Sequence, residues 1–200
     1  MSSFRVAHNQ NAPNLPAYWR PADTVIDGSS WTASLNAADS TDALFSDVRA
    51  AAESRFGGPT QVLSSSYSSG AMANVYLQQL YDGIPVLNTQ LHVIVGTNGA
   101  RIIRANSSFA NLSQVSVTGN ATTLGLKDAL AAARNSFTAA GGNADEWLSS
   151  ASTDAKANLG WYLTSDGSII RAYEISSSKC SLTVDASNGS ILGFNSFIAY

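Results

Sequence analysis

Residues 75–109 contain two segments in which apolar and polar side chains alternate, and each segment ends at a glycine-containing turn. Asp82-Gly83 follows the first segment and Asn98-Gly99 follows the second. Alternation with a period of two is typical of antiparallel strands, and Asp-Gly and Asn-Gly readily accept the positive φ angles of tight hairpins. The stretch therefore predicts a meander of antiparallel strands with one face exposed to solvent.

A helix is predicted before this meander. Ser40 precedes a run in which apolar side chains recur at helical spacing, and Gly57-Gly58-Pro59 follows it. Serine is a favoured N-cap residue and glycine a favoured residue just after the last helical turn, so the helix should span about 41 to 56. The side chains expected to face a sheet are Phe45, Val48, Ala52 and Phe56.

The same order of signals recurs in the second half of the chain. Thr123 is the expected N-cap of a second helix, from about 124 to 140, which Gly141-Gly142 ends. Further alternating segments follow, and their last hairpin is predicted at Asn188-Gly189. One helix packed on an antiparallel meander, twice in succession, predicts an α+β fold with two consecutive units.

The first 38 residues differ from both units. They carry three prolines between positions 13 and 21 and lack a sustained periodicity, which predicts an extended N-terminal arm at 1–38. Units at 39–115 and 116–200 should follow it. Trp19 and Trp31 make the arm too apolar for a free tail, so we expect it to pack on one or both units, although exposed tryptophans could instead anchor a partner.

Charge and hydropathy exclude some classes of partner. The chain has a net charge of −3, and its 11 Lys and Arg residues are scattered without forming a basic stripe, so we do not expect it to bind nucleic acid. No apolar run approaches the length of about 18 residues typical of a membrane span, so none is expected. The low charged fraction of 12% favours a secreted protein, or a cytoplasmic one if Met1 is the natural start.

The sequence offers no constellation for catalysis. His8 and His92 are the only histidines, and neither belongs to a motif with metal-ligand spacing. Nucleophile-elbow and nucleotide-binding motifs are absent. We therefore expect neither an enzyme nor a cofactor. Cys180 is either a thiol whose pKa Lys179 lowers or a half-buried small apolar side chain, and the second interpretation is favoured.

Four asparagines begin N-x-S or N-x-T triplets, which are candidate N-glycosylation sites in a secreted protein. They are Asn106, Asn111, Asn120 and Asn188. In a chain rich in Ser and Thr, such triplets also arise by chance, so they add little to the case for secretion.

The run at 76–95 resembles the motif that opens the propeptides of fungalysin and thermolysin-type metalloproteases. The residues that carry the resemblance are Gln79, Gly83, Ile84, Val86 and Asn88. The segment at 182–191 is similar to the propeptide-and-YPEB domain that follows in that family. The chain departs from the pattern at Gln78, where the family often has Arg, and at Thr89, where Ala is usual.

The resemblance implies a fold and a function. Each unit should be cystatin-like, and the chain should be a non-catalytic prodomain that binds a metalloprotease catalytic domain, blocks its cleft and assists its folding. The family's enzyme would lie C-terminal to Tyr200. The alternative is a free-standing fungal recognition or immunomodulatory protein on the same scaffold, with another protein or receptor as its partner.

Four side chains around the Asp82-Gly83 turn are the predicted partner contacts, because an apolar turn tip is a natural anchor. They are Tyr81, Ile84, Pro85 and Val86. The alternative is that these side chains pack within the meander.

Overall fold

The computed structural model describes residues 13–31, 35, 40–98, 100–118, 123–149 and 158–197. Its helices are α1 (Thr41–Phe56), α2 (Leu126–Ala139) and α3 (Ala144–Trp147). Its strands are β1 (Thr24–Asp27), β2 (Thr60–Val62), β3 (Tyr67–Ser69), β4 (Met72–Tyr81), β5 (Ile84–Pro85), β6 (Leu91–Gly96), β7 (Arg101–Ser107), β8 (Ser116–Val117), β9 (Asn158–Leu163), β10 (Ser168–Ser176), β11 (Cys180–Asp185) and β12 (Ile191–Ser196). The predicted α+β class is confirmed.

The chain forms two compact units. The described part of the first unit is 20–31, 35, 40–98, 100–117 and 163–169, and that of the second is 13–19, 118, 123–149, 158–162 and 170–197. The described residues of the predicted arm are therefore shared between the units. The predicted boundaries after residues 38 and 115 stay predictions. His8, Gly99 and Asn120 lie outside the described residues.

The first unit is built on one antiparallel sheet. Its strand order is β1-β7-β6-β4-β2, and β3 and β5 also pair with β4. Val75, Val93 and Ala105 lie opposite one another on β4, β6 and β7 and are fully buried. They pack in one core with Leu44 and Val48 of α1. The strands alternate in burial, as the sequence pattern predicts.

Helix α1 begins and ends where the sequence predicts. The Ser40 hydroxyl accepts a hydrogen bond from the Ala43 amide at 3.2 Å, and Gly57 ends the helix with a φ of 72°. Val48 and Ala52 are buried as expected, whereas Phe45 and Phe56 are half-buried at the border of the core. The predicted helical face also missed the buried Leu44.

Helix α2 has a different N-terminus from the predicted one. Its N-cap is Gly125, which makes no side-chain cap bond, so the prediction of Thr123 as the cap is wrong. Ala133 and Phe137 are fully buried. Gly189, in the predicted Asn-Gly turn, has a φ of 77°, and a Cβ there would lie 2.3 Å from the Ala132 Cβ. The turn thus needs glycine for its backbone angle and for its close approach to α2.

The second unit also contains an antiparallel sheet. β11 lies between β10 and β12, and β9 pairs with β10. Trp147 and Leu148 at the end of α3 are buried in the core between α2 and these strands.

The predicted arm contributes to both sheets. In the first unit, β1 forms an antiparallel ladder with β7. In the second, Ala17 forms a parallel bridge with Phe194, and the Tyr162 hydroxyl donates to the Trp19 carbonyl at 3.0 Å and accepts from the Trp19 amide at 3.2 Å. The described arm residues are therefore built into the fold.

The two helix starts allow a matched test of capping. Ser40→Ala removes a cap bond and should lower the free energy of unfolding by about 1 kcal/mol. Thr123→Ala removes an equally exposed hydroxyl that caps nothing and should change it by less than about 0.5 kcal/mol. Urea unfolding followed by circular dichroism measures both values. Equal losses for the two variants would contradict the assigned caps.

Candidate functional site

The residues predicted as family signature lie at one end of the first sheet, where β4 turns into β5. Asp82 and Gly83 have φ angles of 50° and 73°, which confirms the predicted tight turn. Three residues after Gly83, the Val86 backbone amide donates to the Gln79 carbonyl at 2.9 Å. The turn is thus held by backbone hydrogen bonds on a regular hairpin.

Gln79 is buried, and its side chain binds the backbone of a single residue. Its Nε2 donates to the Ala110 carbonyl at 2.8 Å, and its Oε1 accepts from the Ala110 amide at 2.8 Å. A carboxamide can donate and accept at once, as a strand residue does. Gln79 therefore fastens the segment after β7 to the end of β4.

Asn88 makes the equivalent pair of bonds to a distant part of the chain. Its Nδ2 donates to the Leu163 carbonyl at 2.7 Å, and its Oδ1 accepts from the Leu163 amide at 2.9 Å. Both residues are buried, and the segment 163–169 belongs to the first unit. We call the Gln79 and Asn88 interactions the two amide clasps. Sequence reasoning identified both residues but not what they bind.

The remaining signature residues complete the local structure. Val86 is fully buried. Thr89, where the family usually has Ala, is also buried, and its hydroxyl donates to the Val86 carbonyl at 3.0 Å. At Gln78, where the family often has Arg, the side-chain Oε1 accepts a hydrogen bond from the Gln61 Nε2 at 2.9 Å. Both departures from the family pattern are thus accommodated by uncharged hydrogen bonds.

The predicted contact residues differ in exposure. Tyr81, Ile84 and Pro85 are half-buried, so part of each side chain faces solvent. Val86 has no exposed surface, so it is not available as a contact in this conformation. A contact role for the other three stays a prediction.

A groove of about 570 Å³ lies beside this turn. Three loops form it: the end of α1, the turn after β4 and the segment fastened by Gln79. The lining includes Phe56, Pro59, Leu80, Tyr81 and Leu112. Asp82 is the only acidic or basic side chain in that lining, so the groove offers shape and apolar surface with little charge.

The described residues show no assembled metal site. Among them, no group of three or more His, Cys, Asp or Glu side chains is placed to hold a metal ion. His92 stacks on Tyr76 with ring centroids 4.4 Å apart, and its Nε2 lies 2.9 Å from the Asn74 Oδ1. Desolvation lowers the pKa of His92, which favours the neutral ring at pH 7.

Cys180 is a buried strand residue. Burial raises the pKa of its thiol, and Ser177 Oγ lies 3.5 Å from the sulfur. Lys179 instead directs its ammonium to Glu146 at 2.9 Å. The arrangement agrees with the favoured interpretation of an apolar packing role, although the side chain is fully buried and not half-buried as expected.

The candidate glycosylation sites lie in different settings. Asn111 and Asn188 are exposed, and each side-chain oxygen accepts from the backbone amide of the triplet's serine. Asn106 is half-buried within β7. Modification at any of these positions stays a prediction.

Comparison with known proteins identifies the first unit's meander. The Fungalysin/Thermolysin Propeptide Motif matches residues 60–109, which include all five predicted signature residues. The chain therefore carries this propeptide motif, as the resemblance implied. Among solved structures, the Bacillus megaterium YpeB C-terminal domain is similar with a TM-score of 0.44 and 8% identity, over 81% of this chain and 67% of that one. No curated protein matches the chain.

No helix in the described ranges combines the length and hydrophobicity that a membrane crossing requires.

The clasps can be tested by isosteric substitution. Asn88→Asp and Gln79→Glu each replace a buried NH₂ donor with an oxygen that faces a carbonyl, so each should lower the free energy of unfolding by about 1–3 kcal/mol at pH 7. Gln78→Glu, at the neighbouring half-buried position, keeps the 2.9 Å bond from Gln61 and loses only a long 3.4 Å bond from its own Nε2 to the Leu87 carbonyl, so it should cost much less. Urea unfolding measures all three. A loss in the clasp variants no larger than in Gln78→Glu would contradict the clasps.

The setting of Cys180 predicts slow thiol chemistry. Because burial raises the pKa of this thiol, the native protein should react with a thiol-specific reagent far more slowly than the urea-unfolded chain at pH 7.5. The folded state disfavours the thiolate, so stability should also fall as pH rises from the ordinary thiol pKa towards the raised pKa of the folded state. Reaction in the native state as fast as in urea would show that the thiol is accessible.

Proposed function

We propose that this chain is a non-catalytic, prodomain-like protein that inhibits a fungalysin-type zinc metalloprotease and assists its folding. Inhibition is steric and non-covalent, through binding to the catalytic domain near its cleft. The observation that carries the proposal is the match of residues 60–109 to the Fungalysin/Thermolysin Propeptide Motif. A chain that binds the native catalytic domain and not its unfolded form stabilises the native state by mass action.

The geometry of the first unit supports a binding role. The amide clasps hold the turn at Asp82-Gly83 and the adjacent loops in one arrangement. A surface that is already ordered loses less conformational entropy when it binds, so more of the contact energy appears as affinity. Tyr81, Ile84 and Pro85 supply partly exposed apolar atoms at the end of this hairpin.

Two finer features belong to the same proposal. Each unit combines one long helix with an antiparallel sheet, which supports a cystatin-like arrangement in both. A secreted location is part of the same proposal, because the proposed partner is an exported protease. Function in this proposal resides in surfaces, so the chain requires neither a metal nor a cofactor of its own.

Mixing the chain with a purified fungalysin-type zinc metalloprotease tests the proposal. We expect reversible inhibition at micromolar concentration or below, with no covalent bond formed between the chain and the protease. We also expect a higher yield of active protease when the denatured enzyme is refolded in the presence of the chain. Titration calorimetry and a peptidase assay measure the two effects. Ile84→Asp should weaken inhibition if the predicted turn contacts are correct, with the stability of the variant checked by urea unfolding.

The absence of both binding and inhibition at micromolar concentration would contradict the proposal for that protease. Binding without any effect on peptidase activity or refolding would contradict the inhibitory mechanism while leaving a recognition role.

A further inference from the structure

Within the described part of the first unit, α1 packs on only one face of the sheet. α1 covers the face that carries Val75 and Val93, whereas Tyr76, His92 and Asn106 lie opposite one another on the other side. We call this second side the open face. The side chains at its centre are half-buried and carry little charge. They are Asn74, Tyr76, His92 and Asn106.

Large apolar side chains concentrate on the open face. Of seven that are strongly exposed among the described residues, four belong to it: Val25, Tyr67, Met72 and Ile103. Directly paired strand residues point to the same side of a sheet, so Val25 shares the side of Asn106 and Tyr67 shares the side of Asn74. Four exposed apolar side chains therefore share one face around a polar centre, which favours a protein interaction surface there.

A glycine lies beneath the exposed apolar side chains at one end of the open face. Gly96 is paired with Met72, and the Ile103 side chain lies over it, with Cδ1 3.4 Å from the position that a Cβ would take. A bulge between Ile94 and Val95 places Ile103 there as an additional residue. The bulge and the glycine therefore place the exposed side chains of Met72 and Ile103 at neighbouring positions.

The charges on the open face complement an acidic partner. Arg101 and Arg104 are exposed along its β7 side, and neither forms an ion pair within the described part of the chain. The carboxylate nearest in register is Asp27, opposite Arg104, and it accepts hydrogen bonds from Ser29. Strand β7 therefore brings two arginines to the open face beside a single neighbouring carboxylate, in a chain whose net charge is −3.

We infer that the open face is the main docking surface for the protease catalytic domain, and that it meets an apolar patch bordered by carboxylates. This inference rests on the proposed function and identifies the surface that performs it. The Asp82-Gly83 turn, with its half-buried side chains, is then a secondary contact. Apolar anchors supply affinity at such an interface, and the two arginines mainly raise the association rate.

Exposed residues elsewhere in the chain provide matched controls. Tyr67 and Phe197 are 51% and 52% exposed, and Val25 and Val117 are 60% and 54% exposed. Tyr67→Ala and Val25→Asp should each weaken binding to the inhibited protease about ten-fold or more, whereas Phe197→Ala and Val117→Asp should change it less than about two-fold. Surface plasmon resonance with the active-site-inhibited protease measures affinity, and urea midpoints confirm that all four variants fold.

The charged edge is tested with Arg104→Glu, and Arg49→Glu on α1 serves as its control. The first should slow association most strongly at low salt, and the second should not.

The outcomes distinguish a failure of the open face as the docking surface from a failure of the proposed function. If the wild-type chain binds and the two members of each pair weaken binding equally, or only the controls do, the open face is overturned and the proposed function stands. If the wild-type chain does not bind the protease, both are overturned. Selective loss in Tyr67→Ala and Val25→Asp supports the open face.

Discussion

Two buried carboxamides hold the first unit together at the points where its regular ladders end. Gln79 and Asn88 each use their donor and their acceptor on one backbone residue, Ala110 and Leu163 respectively. Each clasp leaves no polar side-chain atom unpaired, whereas a substitution that removes only the donor leaves a buried carbonyl without a partner. Three of the five signature residues, Gln79, Val86 and Asn88, are therefore buried inside this chain.

This assignment changes how the motif relates to function. Buried side chains that are fully hydrogen-bonded inside the protein are not available to a partner, so the proposed recognition uses the surface beside the clasps. That surface comprises the Asp82-Gly83 turn, the groove next to it and the open face with its exposed apolar side chains. A surface of modest charge suits the proposed steric, non-covalent inhibition, which requires complementary shape and no catalytic group.

Local signals predicted the local structure well. Ser40 with Gly57 defined α1, and Asp82-Gly83 defined a turn, because caps and positive φ angles depend on a few adjacent residues. The sequence did not indicate that Leu163 would be the partner of Asn88, since the two are 75 residues apart and the bond involves backbone atoms. For Val86 the sequence left a surface contact and packing within the meander open, and the structure buries this side chain.

The most direct test of this account is amide hydrogen exchange at Ala110 and Leu163. Both amides donate to side-chain oxygens rather than to a strand. If the clasps are permanent features of the native state, both amides should exchange as slowly as those in the centre of β4 and β6. Gln79→Met and Asn88→Leu remove the oxygen that accepts from the amide, so each should accelerate exchange only at its own partner, Ala110 or Leu163, in a native-state comparison. Exchange at the rate of an unprotected loop in the wild-type protein would contradict the account.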